Sequence, residues 1–159
     1  MPQPHIKILV IGKTKHTYLK EGIQDYLRRL KHYAEVEMVE IRGKRASSKL
    51  SDEEITRQEA RLFAGHINPS DYVIALDRQG QMFDSIKMAR ALQKQGEQNP
   101  NPVAFLIGGE LGLSPRLVDR ASEVWSFSKL TFSHDMVRLI LVEQLYRGFT
   151  IMAGEKYHK

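Results

Sequence analysis

The chain has 159 residues, of which 42% are hydrophobic, with no cysteine and a formal net charge of +5 at pH 7. This length accommodates one domain with a true buried core, and the absence of cysteine removes disulfides, thiolate metal sites and cysteine nucleophiles together and fits a reducing cytoplasm. No run of about eighteen apolar residues is present to span a membrane, and Met1-Pro2-Gln3-Pro4-His5 carries no apolar signal region, so export is not expected.

Ile6–Ile11 reads as a buried strand ended by Gly12. Tyr18, Ile23, Tyr26, Leu27 and Leu30 then recur at helical spacing. Val36–Ile41 alternates apolar and acidic residues, which predicts a strand with one partly exposed face. A polar, basic loop follows to Leu50. Ser51-Asp52-Glu53-Glu54 forms a capping box that opens a helix to about Ala64. Tyr72–Leu76 predicts a third strand, with Asp77-Arg78-Gln79-Gly80 as a turn after it. Ser85 is expected to cap the next helix, and Asn99-Pro100-Asn101-Pro102 breaks it. Val103–Ile107 is an apolar strand running into Gly108-Gly109-Glu110-Leu111-Gly112. A short helix capped by Ser114 with Pro115 at its first position comes next. Val124–Ser128 is the last strand, and the final helix spans about Ser133 to Met152. This alternation predicts an α/β fold with a mainly parallel sheet flanked by helices.

The final helix is apolar nearly all round, through Val137, Leu139, Ile140, Leu141, Val142 and Leu145. A helix of this kind must be covered on more than one side. It is expected to pack on the sheet and on a second subunit, with Leu139→Glu or Leu141→Glu destabilising or dissociating the dimer through an unpaired buried carboxylate. Complete burial within one chain is the alternative, harder to arrange at this size.

Charge is uneven along the chain. Residues 1–50 hold 11 Lys+Arg against 5 Asp+Glu, whereas residues 51–99 hold 6 against 8. Arg42, Lys44, Arg45 and Lys49 cluster in the basic loop. Such clusters suit a phosphate backbone, and a solvated basic surface accounts for them equally well. The histidines are scattered, with none paired at helical ligand spacing, so no metal is expected.

Chemistry-bearing residues gather near the C-terminus. In an open parallel sheet, ligands bind where strands end and helices begin. Gly108-Gly109 ends one strand, and Phe127-Ser128-Lys129-Leu130-Thr131-Phe132 follows another. Neither a P-loop nor a dinucleotide spacing is present, and a tight structural turn explains the glycines as well. The second loop offers aromatic walls, hydroxyls and main-chain groups of the kind that surround an adenine. A branched side chain at Gly108, as in Gly108→Val, is expected to fill the adenosine space and abolish cofactor binding while leaving the fold mostly intact. His134, in the first turn of the last helix, is a candidate proton acceptor, and Arg138 lies one turn further on the same side. Each is also an ordinary surface residue when taken alone. Tyr157-His158-Lys159 ends the chain with an aromatic ring, a titratable ring and a cation. Most short tails are frayed.

The strand ending Gly108-Gly109, the segment Ser126-Phe127-Ser128 to Thr131, His134 with Arg138, Glu143-Gln144-Leu145-Tyr146-Arg147 and the closing Tyr157-His158-Lys159 resemble the SPOUT methyltransferases. Within them the whole chain resembles the ribosomal RNA large subunit methyltransferase H family. The resemblance implies a SPOUT fold with a C-terminal trefoil knot. It further implies an S-adenosylmethionine-dependent homodimeric enzyme that methylates N3 of a pseudouridine in 23S rRNA on the assembled 70S ribosome. It carries cofactor contacts over to Leu76, Gly108 and the run Phe127, Ser128, Lys129, Leu130, Thr131, Phe132. His134 and Arg138, beside the cofactor loop, and His158, in a tail expected to fold over the substrate base across the interface, are the candidate catalytic residues. Two positions depart from the family pattern: Ser133 where proline is common, and Gly148 where alanine is common. Serine caps a helix well, and the glycine is expected to loosen the helix locally by up to about 1 kcal/mol. Two other classes stay open on the residues alone. A nucleotide-dependent hydrolase needs a phosphate-binding lysine and acidic metal ligands, for which Asp77 is the one clear candidate. A non-catalytic RNA-binding module explains the basic N-terminal third but not the two C-terminal loops.

Overall fold

The computed structural model describes residues 3–43 and 49–159. Lys44 and Arg45 of the basic loop lie outside the described residues. The order of elements is β1 (His5–Ile11), α1 (Thr17–Leu30), β2 (Glu35–Ile41), α2 (Asp52–Ala64), β3 (Tyr72–Met82), α3 (Ser85–Gln98), β4 (Val103–Ile107), α4 (Pro115–Arg120), β5 (Glu123–Ser126) and α5 (His134–Met152). The strands form one five-stranded parallel sheet in the order β2-β1-β4-β3-β5. The fold is therefore α/β with helices on both faces.

Alternation along the central strands divides the core in two. Ile8, Val10 and Phe105 point to one face, where Ile23 of α1, Met88 and Leu92 of α3, and Leu141, Val142 and Leu145 of α5 cover them. Leu9 and Leu106 point to the other face, against Phe63 of α2 and Leu117 of α4. Central β4 is buried along its whole length, as a parallel strand covered on both faces must be.

Capping follows the sequence closely. Ser51 Oγ accepts from the Glu54 amide at 3.2 Å and donates to Glu54 Oε1 at 3.1 Å, Ser114 accepts from the Leu117 amide, and Ser133 accepts from the Met136 amide. The α3 cap differs from expectation. Asp84, not Ser85, accepts from the Lys87 amide at 2.8 Å, and Ser85 Oγ donates instead to Gln144 on α5. A carboxylate is an equally good cap, and moving the cap back one residue frees the serine to tie two helices.

One further expectation changes. Asp77–Gly80 does not end β3. The strand continues to Met82, and its pairing with β5 slips, so that both Leu76 and Gln81 stand opposite Trp125. The polar residues form an irregularity within a strand rather than a turn after it. Helix α5 is covered largely by its own chain. It lies on the sheet between α1 and α3, and every residue from His134 to Met152 is buried or half-buried. Leu141 is fully buried in the core and Leu139 packs against Gly22, so a charge at Leu141 would break the protomer before it broke any dimer. Gly148 has a packing role: a Cβ there would stand 3.2 Å from Leu92 Cδ1, at the point where α3 crosses α5.

Candidate active site

The ends of β3, β4 and β5 open into a cleft of about 290 Å³, near the lower end of the range for small-molecule sites. Leu76 and Gly108 line one part of it, and Phe127, Ser128, Leu130, Thr131 and Phe132 another. Exposed Lys129 belongs to the same loop but is not among the lining residues. Three large apolar side chains stand open to solvent at this cleft: Leu130 at 70% exposure, Leu111 at 42% and Phe132 at 36%. Apolar groups gathered around a concave opening suit a ligand with an apolar part.

The loop walls are held by local hydrogen bonds. Ser126 Oγ donates to the Ser128 carbonyl at 2.9 Å, and Ser128 Oγ accepts from the Leu130 amide at 3.0 Å. Arg78, in the irregular part of β3, donates to Thr131 Oγ1 at 2.9 Å and so ties the strand to the loop. Arg78, Asp77 and Glu110 also line the cleft. Arg78 and Glu110 carry no site signal in the sequence, because their charges resemble those of ordinary turn residues until the fold brings them to one opening. Under the glycine turn sits Glu59 of α2, whose carboxyl is pushed up by burial and further by Glu110. A Cβ at Gly109 would meet Glu59 Oε2 at 2.9 Å.

Gly108 acts differently from expectation. A Cβ there would stand 2.4 Å from the Gly112 carbonyl carbon and 2.7 Å from the Leu113 nitrogen. The loop closes back on itself at this point, with the Gly112 amide donating to the Gly109 carbonyl. A larger residue would therefore disrupt the loop itself rather than simply fill the cleft.

The three histidine and arginine candidates occupy three different places. His134 lines the cleft, with Nε2 3.4 Å from Asp135 Oδ1. Arg138 is 1% exposed and turns away from it. Its guanidinium donates to the carbonyls of Ile11 and Gly12 and to Thr14 Oγ1, at 2.7, 2.9 and 3.0 Å. Burial pulls its pKa down, opposed by Asp135 and Glu40. Asp135 Oδ2 in turn accepts from the Lys15 amide, so the loop after β1 is fastened to the first turns of α5. His158 lines a second cavity of about 580 Å³ on the far side of Phe127 and Phe132. Its Nδ1 lies 3.1 Å from Arg147. The tail is docked on α5: Tyr157 hydroxyl lies 3.0 Å from the Tyr26 hydroxyl and donates to Glu143, and the Arg147 guanidinium sits 4.8 Å from the Tyr157 ring centre. Among the described residues no cluster of three or more His, Cys, Asp or Glu is arranged to hold a metal ion.

Comparison with known proteins gives the family of the chain. The family model described as "Predicted SPOUT methyltransferase" matches residues 5–158. The chain belongs to the SPOUT methyltransferases. Within that family it is 46% identical over 153 residues to "Ribosomal RNA large subunit methyltransferase H" of Desulfotalea psychrophila, covering 96% of this chain and 98% of the relative. The protein of the same name from Enterococcus faecalis is 41% identical over 157 residues, covering 97% and 99%. A solved structure of a probable methylase family protein from Haemophilus influenzae superposes with a TM-score of 0.53 at 15% identity, covering 98% of this chain and 71% of that one. SPOUT methyltransferases use S-adenosylmethionine. The lining fits such a group chemically, since it combines the apolar side chains of Leu130 and Phe132 with the charged side chains of Asp77, Arg78 and Glu110.

Proposed function

We propose that this protein methylates N3 of a pseudouridine in 23S rRNA, on the assembled 70S ribosome, acting as a single-domain protomer of a cytoplasmic homodimer with a C-terminal trefoil knot. The observation that carries the reading is the apolar cleft between the Gly108 turn and the Phe127–Phe132 loop, with His134 at its edge, in a chain so similar along its length to rRNA methyltransferases. Leu76, Gly108 and residues Phe127–Phe132 would hold S-adenosylmethionine, with Lys129 contributing its backbone.

When bound, the cofactor supplies a methyl group already activated on a cationic sulfur. The protein's work is then alignment and proton removal. N3 of the base would have to lose its proton to act as the nucleophile, so the protein must hold a proton acceptor beside it. His134, at the edge of the cleft with Nε2 3.4 Å from Asp135 Oδ1, would accept the N3 proton through a ring nitrogen. Arg138 supports this step by holding Asp135 and the loop after β1. His158 lies behind the Phe127–Phe132 wall of its own chain, so it would serve the cleft of the partner subunit in the dimer.

The test is transfer of labelled methyl from S-adenosylmethionine to purified 70S ribosomes lacking the modification, with the product nucleoside identified by mass spectrometry. Label at N3 of a 23S pseudouridine is expected. Label on another nucleotide, or none, overturns the assignment. His134→Ala should lower the rate at least about a hundredfold, the low end for a positioned acid–base group, with cofactor affinity near normal by calorimetry.

A further inference from the structure

On the sheet face opposite α5, helices α2 and α4 border a groove of about 520 Å³. Arg57 and Arg61 of α2 and Arg116 and Arg120 of α4 line it, all four exposed. Arg57 is held by Glu53 at 3.0 Å, the one carboxylate in the lining. The guanidinium groups of Arg61, Arg116 and Arg120 have no hydrogen-bond or ion-pair partner among the described residues.

We propose that this groove binds backbone phosphates of the RNA substrate beside the cleft, with Arg61, Arg116 and Arg120 as the contacting cations. The inference rests on the functional reading above for the identity of the RNA. Each helix carries its two arginines four residues apart, on one side and about 6 Å apart along the axis. Like charges at this spacing destabilise a helix, and two such rows face each other across one opening. An external polyanion removes that repulsion. Planar guanidinium forks pair with phosphate in bidentate fashion, and successive phosphates of a strand recur at a comparable spacing.

Position supports the same partner. Leu113 lines the cofactor cleft and Ser114 lines the groove, so the two openings adjoin across one peptide unit. A strand lying in the groove therefore leads toward the cleft mouth. A lipid surface fits less well, because the exposed large apolar side chains Tyr18, Met82, Ile86, Leu111, Leu130 and Phe132 all lie outside the groove lining, and stable membrane docking needs apolar anchors beside the cations.

The experiment compares full-length wild type with the triple variant Arg61→Ala, Arg116→Ala, Arg120→Ala. A charge-matched control, Lys87→Ala, Arg90→Ala, Lys94→Ala, lies on α3 of the opposite face. Binding to 70S ribosomes is measured across a salt series, alongside calorimetry with S-adenosylmethionine and thermal melting. The groove variant should bind at least about tenfold more weakly, with a salt slope shallower by about 1 for each arginine lost. Its cofactor affinity should match wild type, and its melting temperature should equal or slightly exceed it, because the repulsion between the arginines is removed. Arg61→Lys, Arg116→Lys, Arg120→Lys should restore most of the slope. If wild type methylates ribosomal RNA and the groove variant binds as wild type, the groove proposal fails and the enzymatic reading stands. Equal losses in the α3 control also overturn it, because the effect is then net charge alone. If wild type methylates no ribosomal RNA, the functional reading itself falls, and the proposed RNA partner with it.

Discussion

At the residue scale, the closest constraint is at Gly108, where the missing side chain lets the chain pass within 2.4 Å of a would-be Cβ. Neighbouring backbone has little freedom to yield, so Gly108→Ala should destabilise the fold by about 1–3 kcal/mol, the usual range for overpacking. It should also weaken S-adenosylmethionine binding. A variant that melts as wild type would show that the loop opens without strain. A second constraint is the Tyr72 hydroxyl, which donates to Glu123 Oε2 at 2.6 Å while Trp125 Nε1 donates to Oε1 of the same carboxylate. Burial, reinforced by Glu123, pushes Tyr72 up to about 12. Tyr33 rises to about 12 through burial and its bond to Glu155. A raised tyrosine favours the neutral form in the folded state. The stability from each is therefore complete below the unfolded value near 10 and is lost as pH rises toward about 12. Chemical denaturation at a series of alkaline pH values should show this decline, and Tyr72→Phe should make it less steep. An unchanged profile in the variant would remove Tyr72 from the account.

At the element scale, local rules and long-range packing separate clearly. Val103–Ile107 was legible as a buried strand because an apolar run ending in glycines suits a strand covered on both faces. Ser51, Ser114 and Ser133 were legible as caps because the bond spans three residues of sequence. The extension of β3 was not, since Asp77–Gly80 has turn chemistry and only pairing with β5 keeps it in the sheet. Arg138 was placed correctly on its helix, but helical spacing carries no sign that the carbonyls of Ile11 and Gly12 receive it. The same limit applies to α5, whose apolar circumference is met mainly by α1 and α3 of its own chain. This changes how a dimer should be tested. Ile140 is half-buried and lines the 580 Å³ cavity near exposed Ile86, whereas Leu141 is sealed in the core. Ile140→Glu should yield a folded monomer by sedimentation if this cavity meets a second subunit. Leu141→Glu should instead lower stability by several kcal/mol, through an unpaired buried carboxylate. A folded dimer carrying Ile140→Glu would move the interface elsewhere.

At the scale of the whole molecule, the C-terminal tail joins parts of the chain that are far apart in sequence. Tyr157 contacts the Tyr26 hydroxyl on α1 and Glu143 on α5, its ring meets Tyr146 edge-on at 4.8 Å, and Arg147 covers its face. Burial, with the Tyr26 bond and Glu143, pushes its hydroxyl well above the usual tyrosine range. These contacts make the tail a structural element as well as a candidate catalytic one, so a deletion cannot be read as a pure loss of chemistry. An aromatic pair, a cation over a ring and one net hydrogen bond together contribute about 2 kcal/mol. Deleting residues 157–159 should therefore lower the melting temperature by roughly 4–8 °C. S-adenosylmethionine binding should change little, because the 290 Å³ cleft is lined without these residues. His158→Ala separates the two roles, since it spares the Tyr157 contacts and removes only the ring beside Arg147. Its melting temperature should stay near wild type while methylation of 70S ribosomes falls at least about tenfold, below the usual span for a lost acid–base group. Full methylation by His158→Ala would leave the tail as a clasp between α1 and α5, with His134 as the remaining titratable candidate at the cleft.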